Sequence, residues 1–105
     1  MDYDMFVPVT YCKYGAKIVG VYGSIMYSEL VRHFSLLRYN YKKSKEEWDG
    51  WFSLSVDEIQ NRTGLNQDEQ SEGIKMLKKH ECLDVKSIGL PAVRHFYLKL
   101  MSNPT

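Results

Sequence analysis

The sequence predicts an α+β domain, helical in its first part and strand-rich at its C-terminal end. Three observations carry that expectation. Ile25, Met26, Leu30, Phe34 and Leu37 recur at helical spacing in "SIMYSELVRHFSLLRY", which is the pattern of an apolar stripe along a helix. "SVDE" at 55–58 and "NQDE" at 66–69 each place a capping side chain three positions before a glutamate. Such a pair satisfies two orphan N–H groups and marks a helix start. "CLDVKSIGLPAVRHFYLKL" at 82–100 alternates apolar and polar residues on both sides of "IGLP", the pattern of a β-hairpin with Gly and Pro at its tip.

The elements follow in order. Residues 1–10 are expected to form an N-terminal arm, in which "MFVPV" at 5–9 is an edge strand or an extended segment, since its Pro suits neither a central strand nor a helix interior. Thr10 is a plausible N-cap for a short helix through Cys12, Ala16 and Val19 that ends at Gly20. The strongest helix spans 24–39, and Tyr27, Val31 and Ser35 add a second line beside its stripe. A face that broad places the helix centrally in the core, or shares it with a second copy of the chain. "NYKKSKEEWDG" at 40–50 is polar, ends in Asp-Gly and reads as a loop with a basic run at Lys42, Lys43 and Lys45. Trp48 and Trp51 bracket the Asp-Gly and pin this loop to the core, and "WFSLS" alternates as a short strand. A helix then starts at Ser55 and closes at Gly64, which suits the left-handed conformation of a helix end. Asn66 opens the next helix, with Ile74 and Leu77 on one face, and it runs to about His80 at the usual precision of helix boundaries. Leu83 and Val85 lie on one side of the hairpin turn and Phe96, Leu98 and Leu100 on the other, and 101–105 is a frayed tail.

Composition narrows the function. The chain has 105 residues, enough for a single domain over 1–105, and a formal net charge of +1. Such a balance makes no overall field for nucleic acid, so a DNA-binding face must come from local clustering. Cys12 and Cys82 are far apart, with no paired spacing for zinc, and read as reduced thiols of a cytoplasmic protein. The N-terminus lacks a basic region followed by an apolar run, and no apolar stretch reaches membrane-span length. His33, His80 and His95 are scattered without a carboxylate or thiol partner in sequence. With no nucleotide loop, catalytic triad or metal set, neither enzymatic activity nor a cofactor is expected.

Helix, helix, strand, helix, tight turn, helix and hairpin is the order of a winged helix-turn-helix. "TGLN" at 63–66 supplies the glycine-bearing turn, and Leu65 anchors it in the core. The helix after that turn is then the recognition helix, and Asn66, Gln67, Gln70 and Ser71 occupy its first turns. Glutamines there suit adenine edges in a major groove and Ser71 suits several bases. Lys75, Lys78 and Lys79 follow toward its end, and Lys86 and Arg94 lie on the wing, as expected of phosphate contacts. Asp68, Glu69 and Glu72 precede the lysines, an order the helix dipole favours in any helix.

The segment from "DGWFSLSVDEI" to "GLPAVRHFYLKL" resembles the N-terminal winged-helix domain of replication proteins from phages and plasmids of Gram-positive bacteria, the replisome-organiser, DnaD-like and RepA-type initiators. The resemblance rests on Gly50, Trp51, Phe52, Thr63, Gly64, Leu65, Ile74, Leu77, Leu83, Val85, Gly89, Leu90, Pro91, Arg94 and Phe96. Upstream, "AKIVGVYGSIMYSEL" resembles the paired helices that precede the strand in those proteins. It departs from them at Tyr22, where related chains often carry a capping Asn, and near Glu81 and Cys82, where they often carry Gly. The resemblance implies double-stranded DNA at a replication origin as partner, together with other replication proteins, in a bacterial cytoplasm near the nucleoid. The broad helix face adds the expectation of a homodimer. The alternatives are a protein-interaction or dimerisation module of a replication protein, and a transcriptional regulator at an operator.

Overall fold

A computed structural model describes residues 3–99, with side chains from residue 18 onward. Helix α1 (Tyr3–Ser44) is broken at Gly20, whose φ of 78° and ψ of 173° are non-helical. Gly20 therefore ends a first helical segment where its sequence placed the end, since glycine reaches positive φ without a Cβ penalty. The backbone is helical from Tyr3, in place of the arm or edge strand expected within 1–10. The Thr10 and Cys12 side chains, Leu100 and the 101–105 tail lie outside the described residues.

At its other end α1 runs past residue 39 to Ser44, through the start of the expected loop. Tyr41 stacks on Trp48 at 5.2 Å and 5° between planes, which gives the added turn an aromatic partner. The helix closes with the Lys45 N–H on the Lys42 carbonyl and the Glu46 N–H on the Tyr41 carbonyl. Those two bonds, with Lys45 at φ 62°, form a Schellman closure. Lys42 and Lys43 in the last turn suit the negative end of the dipole.

Strand β1 (Phe52–Ser53) leads into α2 (Val56–Thr63), α3 (Gln67–Lys79) and the hairpin of β2 (Leu83–Ile88) and β3 (Val93–Leu98). The strands form one antiparallel sheet in the order β1-β3-β2. Among the described residues this is an α+β fold of three helices and a three-stranded sheet. The register sets Phe96 between Phe52 and Val85, and Leu98 against Leu83. Because side chains alternate across a sheet, one face is apolar. It packs with Met26, Tyr27, Leu30 and Phe34 of α1, Ile59 of α2, and Ile74 and Leu77 of α3 into a single core. The other face carries Ser53, Lys86, His95 and Tyr97.

Two contacts orient the helices. Gly73 of α3 lies so close to α1 that an added Cβ would stand 2.7 Å from the Tyr22 carbonyl oxygen. Glu29, buried on α1, accepts from Arg62 Nε of α2 at 2.7 Å and from Arg32 Nη2 at 3.0 Å. The described residues contain no helix long and apolar enough to cross a membrane.

Candidate nucleic-acid interface

Both capping boxes form as their spacing requires. Ser55 Oγ accepts from the Glu58 N–H while the Glu58 carboxylate accepts from the Ser55 N–H, each at 3.0 Å. Those bonds to the ionised form hold the Glu58 carboxyl below its ordinary pKa. Asn66 and Glu69 exchange the same two bonds at 2.9 Å. Between them Gly64 takes the left-handed conformation (φ 81°, ψ −2°) and returns its N–H to the Gln60 carbonyl. Thr63 Oγ1 donates to the Ile59 carbonyl and accepts from the Leu65 N–H, so Leu65 is driven into the core. The turn between α2 and α3 is therefore built almost wholly from bonds between near neighbours in sequence.

Helix α3 buries Gln70, Gly73, Ile74 and Leu77. Gln67, Asp68, Ser71, Glu72, Lys75, Lys78 and Lys79 are exposed. The outer face thus carries one amide, a hydroxyl and two acids in its first half and three lysines in its second. Of the expected base-reading residues, Gln67 and Ser71 stand free on this face. Asn66 caps the helix with its side-chain oxygen.

Gln70 corrects the expectation. It is 0% exposed and does not reach the outer face. Its Nε2 donates to the Leu65 carbonyl at 2.8 Å and the Val56 carbonyl at 3.0 Å, and its Oε1 accepts from Arg94 Nη2 at 2.6 Å. The physical reason is its place on the buried stripe, four residues before Ile74 and seven before Leu77. That helical spacing was readable in the sequence, and it outranks a glutamine's capacity to read a base.

Arg94 is corrected with it. Its guanidinium is half-buried, lies 5.6 Å from the centre of the Phe96 ring, and is committed to Gln70 rather than turned to solvent. Burial lowers its pKa from the ordinary value. Lys86 is exposed, but its ammonium sits 4.0 Å from the centre of the Trp51 ring, a cation–π contact across the sheet's outer face. Lys75, Lys78, Lys79 and Lys86 are thus the basic residues of the expected set that remain at the surface.

The tryptophans divide their work. Trp48 packs on Phe34 and donates its indole N–H to the Trp51 carbonyl at 2.8 Å, which pins the loop as expected. Trp51 instead faces outward against Tyr97. Sequence reasoning did not single out Tyr97, although the alternation 94-96-98 inward and 93-95-97 outward points to it. The histidines sit apart: His80 caps α3, His95 lies on the outer sheet face, and His33 packs against Phe52 at 5.4 Å. Tyr22, where the resemblance anticipated a capping Asn, lies within α1, and the neighbouring Glu69 carboxylate raises its phenol above the ordinary pKa, first by hydrogen bonding and then by its charge. The Cys82 thiol is half-buried, and burial raises its pKa.

Helix α3 ends on a second Schellman closure, with the Glu81 N–H on the Lys78 carbonyl and the Cys82 N–H on the Leu77 carbonyl. Glu81 takes the left-handed conformation at φ 57°. The exit from α3 thus has the geometry that a glycine usually provides.

Comparison with protein-family models, with curated proteins and with solved structures returns no match.

Proposed function

We propose that this chain is the winged helix-turn-helix domain of a phage- or plasmid-type replication initiator, cytoplasmic, binding double-stranded DNA at an origin. Helix α3 is the recognition helix and the β2–β3 hairpin is the wing. The observation that carries the reading is the division of α3. One face is locked into the core behind a capped glycine turn, and the opposite face offers Gln67, Ser71, Lys75, Lys78 and Lys79 to a partner. A helix presented in this way suits a major groove, with small polar side chains near base edges and lysines near phosphate. The strand order β1-β3-β2, with the hairpin following α3, supports the same layout. An origin rather than an operator as target rests on the family resemblance of the sequence.

Two observations favour the second reading, an interaction or dimerisation module. Asp68 and Glu72 are exposed on the half of α3 that would meet the bases, where phosphate repels them. Among the described residues, exposed apolar side chains also stand at three places, Ile88, Leu90 and Val93 about the hairpin tip, Ile18, Val21 and Tyr22 about Gly20, and Leu36 and Tyr39 toward the end of α1. Surfaces of that kind commonly mark contact with another protein, and a homodimer or another replication protein is the occupant in this reading.

A fluorescence-anisotropy titration of a labelled duplex against salt separates the two. Under the first reading affinity falls steeply with salt, and replacing Lys79 by Ala flattens the log–log slope by about one unit on every sequence. Absence of duplex binding at low salt, at concentrations where light scattering reports the assembled state, overturns it in favour of the second.

A further inference from the structure

We infer that Gln70 and Arg94 form a latch that fixes the angle of the β2–β3 hairpin against the α2–α3 turn. One fully buried amide joins four parts of the chain: the start of α2 through the Val56 carbonyl, the turn through the Leu65 carbonyl, α3 through its own backbone, and β3 through Arg94. The pattern uses both hydrogens of the amide and its oxygen. A glutamate would turn an acceptor toward two carbonyls, and a methionine would leave those carbonyls and the guanidinium without this partner. The bond to Arg94 involves a charged donor, the stronger class of hydrogen bond.

The position of Arg94 gives the latch leverage. Its β2 partner is Ser87, one step from the last pair of the hairpin, Ile88 with Val93. Every residue from Lys86 to Val93 is exposed. Toward the tip, Arg94 is therefore the last side chain of the hairpin that reaches the helical layer. Below it Phe96, Leu98 and Leu83 anchor the base in the core. Without the latch the outer hairpin keeps its own ladder, the pairing of His95 with Ser53 and the Lys86–Trp51 contact on the outer face, but no tie to the helices, and it pivots about Phe96. The Arg94 Nε–H is buried and makes no hydrogen bond among the described residues, so the guanidinium is held in place at some cost.

The inference deepens the proposed function, because a fixed angle between α3 and the wing would let both meet one rigid DNA surface. Its test is independent of DNA. Amide hydrogen exchange is measured by NMR on the full chain for the wild type, Arg94→Met and Arg94→Lys. Methionine keeps an apolar stem over Phe96 but cannot donate to Gln70, and lysine can. Substitution at Arg94 is preferred because replacing Gln70 also strips two buried carbonyls and risks unfolding. In Arg94→Met, amides in 86–88 and 93–95 are expected to exchange about tenfold faster or more, while those of 26–37 in α1 keep their wild-type rates, the signature of local rather than global opening. Arg94→Lys is expected to recover part of the lost protection. Unchanged hairpin rates in Arg94→Met, an equal rise in α1, or an Arg94→Lys variant as loose as Arg94→Met would each overturn the latch. A failed duplex titration leaves this readout untouched, so the two ideas fall separately.

Discussion

Replacing Gly73 by Ala tests how closely α1 and α3 approach. In an ordinary helix interior this change stabilises by about 1 kcal/mol, because glycine loses more backbone freedom on folding. Here the new Cβ would lie 2.7 Å from the Tyr22 carbonyl oxygen, 2.9 Å from its carbonyl carbon and 2.8 Å from Met26 Cγ. Carbon atoms pack at about 3.5–4.0 Å, so the helices must part by several tenths of an ångström to about 1 Å. Met26 can adjust its side chain, but the Tyr22 carbonyl belongs to the α1 backbone and cannot swing aside alone. A gap of about 0.5–1 Å forfeits a quarter to a half of each contact along the crossing, where Met26, Leu30, Ile74 and Leu77 meet in the core. Overpacking of a close-packed core costs about 1–3 kcal/mol. After the gain in helix propensity, a net loss of up to about 2 kcal/mol is expected in place of the usual gain of about 1 kcal/mol. For a domain of this size that lowers the midpoint by about 4–8 °C per kcal/mol.

The assay is thermal and urea unfolding followed by far-ultraviolet circular dichroism. Two controls separate the causes. Glu72→Ala is next in sequence but exposed, and it should leave the midpoint nearly unchanged. Gly64→Ala meets nothing within 4 Å but sits at φ +81°, so it isolates the left-handed backbone penalty of about 1–2 kcal/mol from any clash. A Gly73→Ala protein that melts above the wild-type temperature, showing the ordinary helix-interior gain, would refute the close approach.

Two further expectations concern α3's exit and His33. Glu81→Gly should stabilise the protein by about 0.5–1 kcal/mol, since relief of the left-handed strain outweighs the extra freedom of glycine in the unfolded chain; a lower melting temperature would show that Glu81 is not strained at φ 57°. His33 has its pKa lowered from 6.5, first by burial and then by the Arg32 charge, with Glu58 and Glu29 acting the other way and Arg62 adding to the lowering. The folded state therefore binds its proton less readily than the unfolded state, so this contribution is complete above pH 6.5 and is lost as pH falls through the lowered folded value. Urea midpoints measured across that window should fall less steeply with acidification in His33→Gln than in the wild type, and parallel profiles would rule out His33 as a source of the slope.

Much of the fold was legible in local chemistry. Ser55 with Glu58, and Asn66 with Glu69, cap their helices within three residues, Gly64 closes α2 in the conformation its lack of a Cβ allows, and alternation about "IGLP" marked the two strands of the hairpin. These signals are complete within one short stretch, so nothing distant can cancel them. The left-handed closures at Lys45 and Glu81 were not legible, because neither residue is the glycine that advertises one, although the end of α3 near His80 was. The extension of α1 to Ser44 depends on Tyr41 meeting Trp48, a contact made only once the chain has turned back. The candidate interface divides in the same way. That α3 exposes Gln67, Ser71 and its lysines follows from helical periodicity. That Gln70 is structural and Arg94 is its partner was decided by the tertiary structure, because the bonds that fix them reach Val56 and Arg94, 14 and 24 residues away. A buried polar group must find partners wherever the fold brings them, and burial took both residues from the surface where their chemistry alone had placed them.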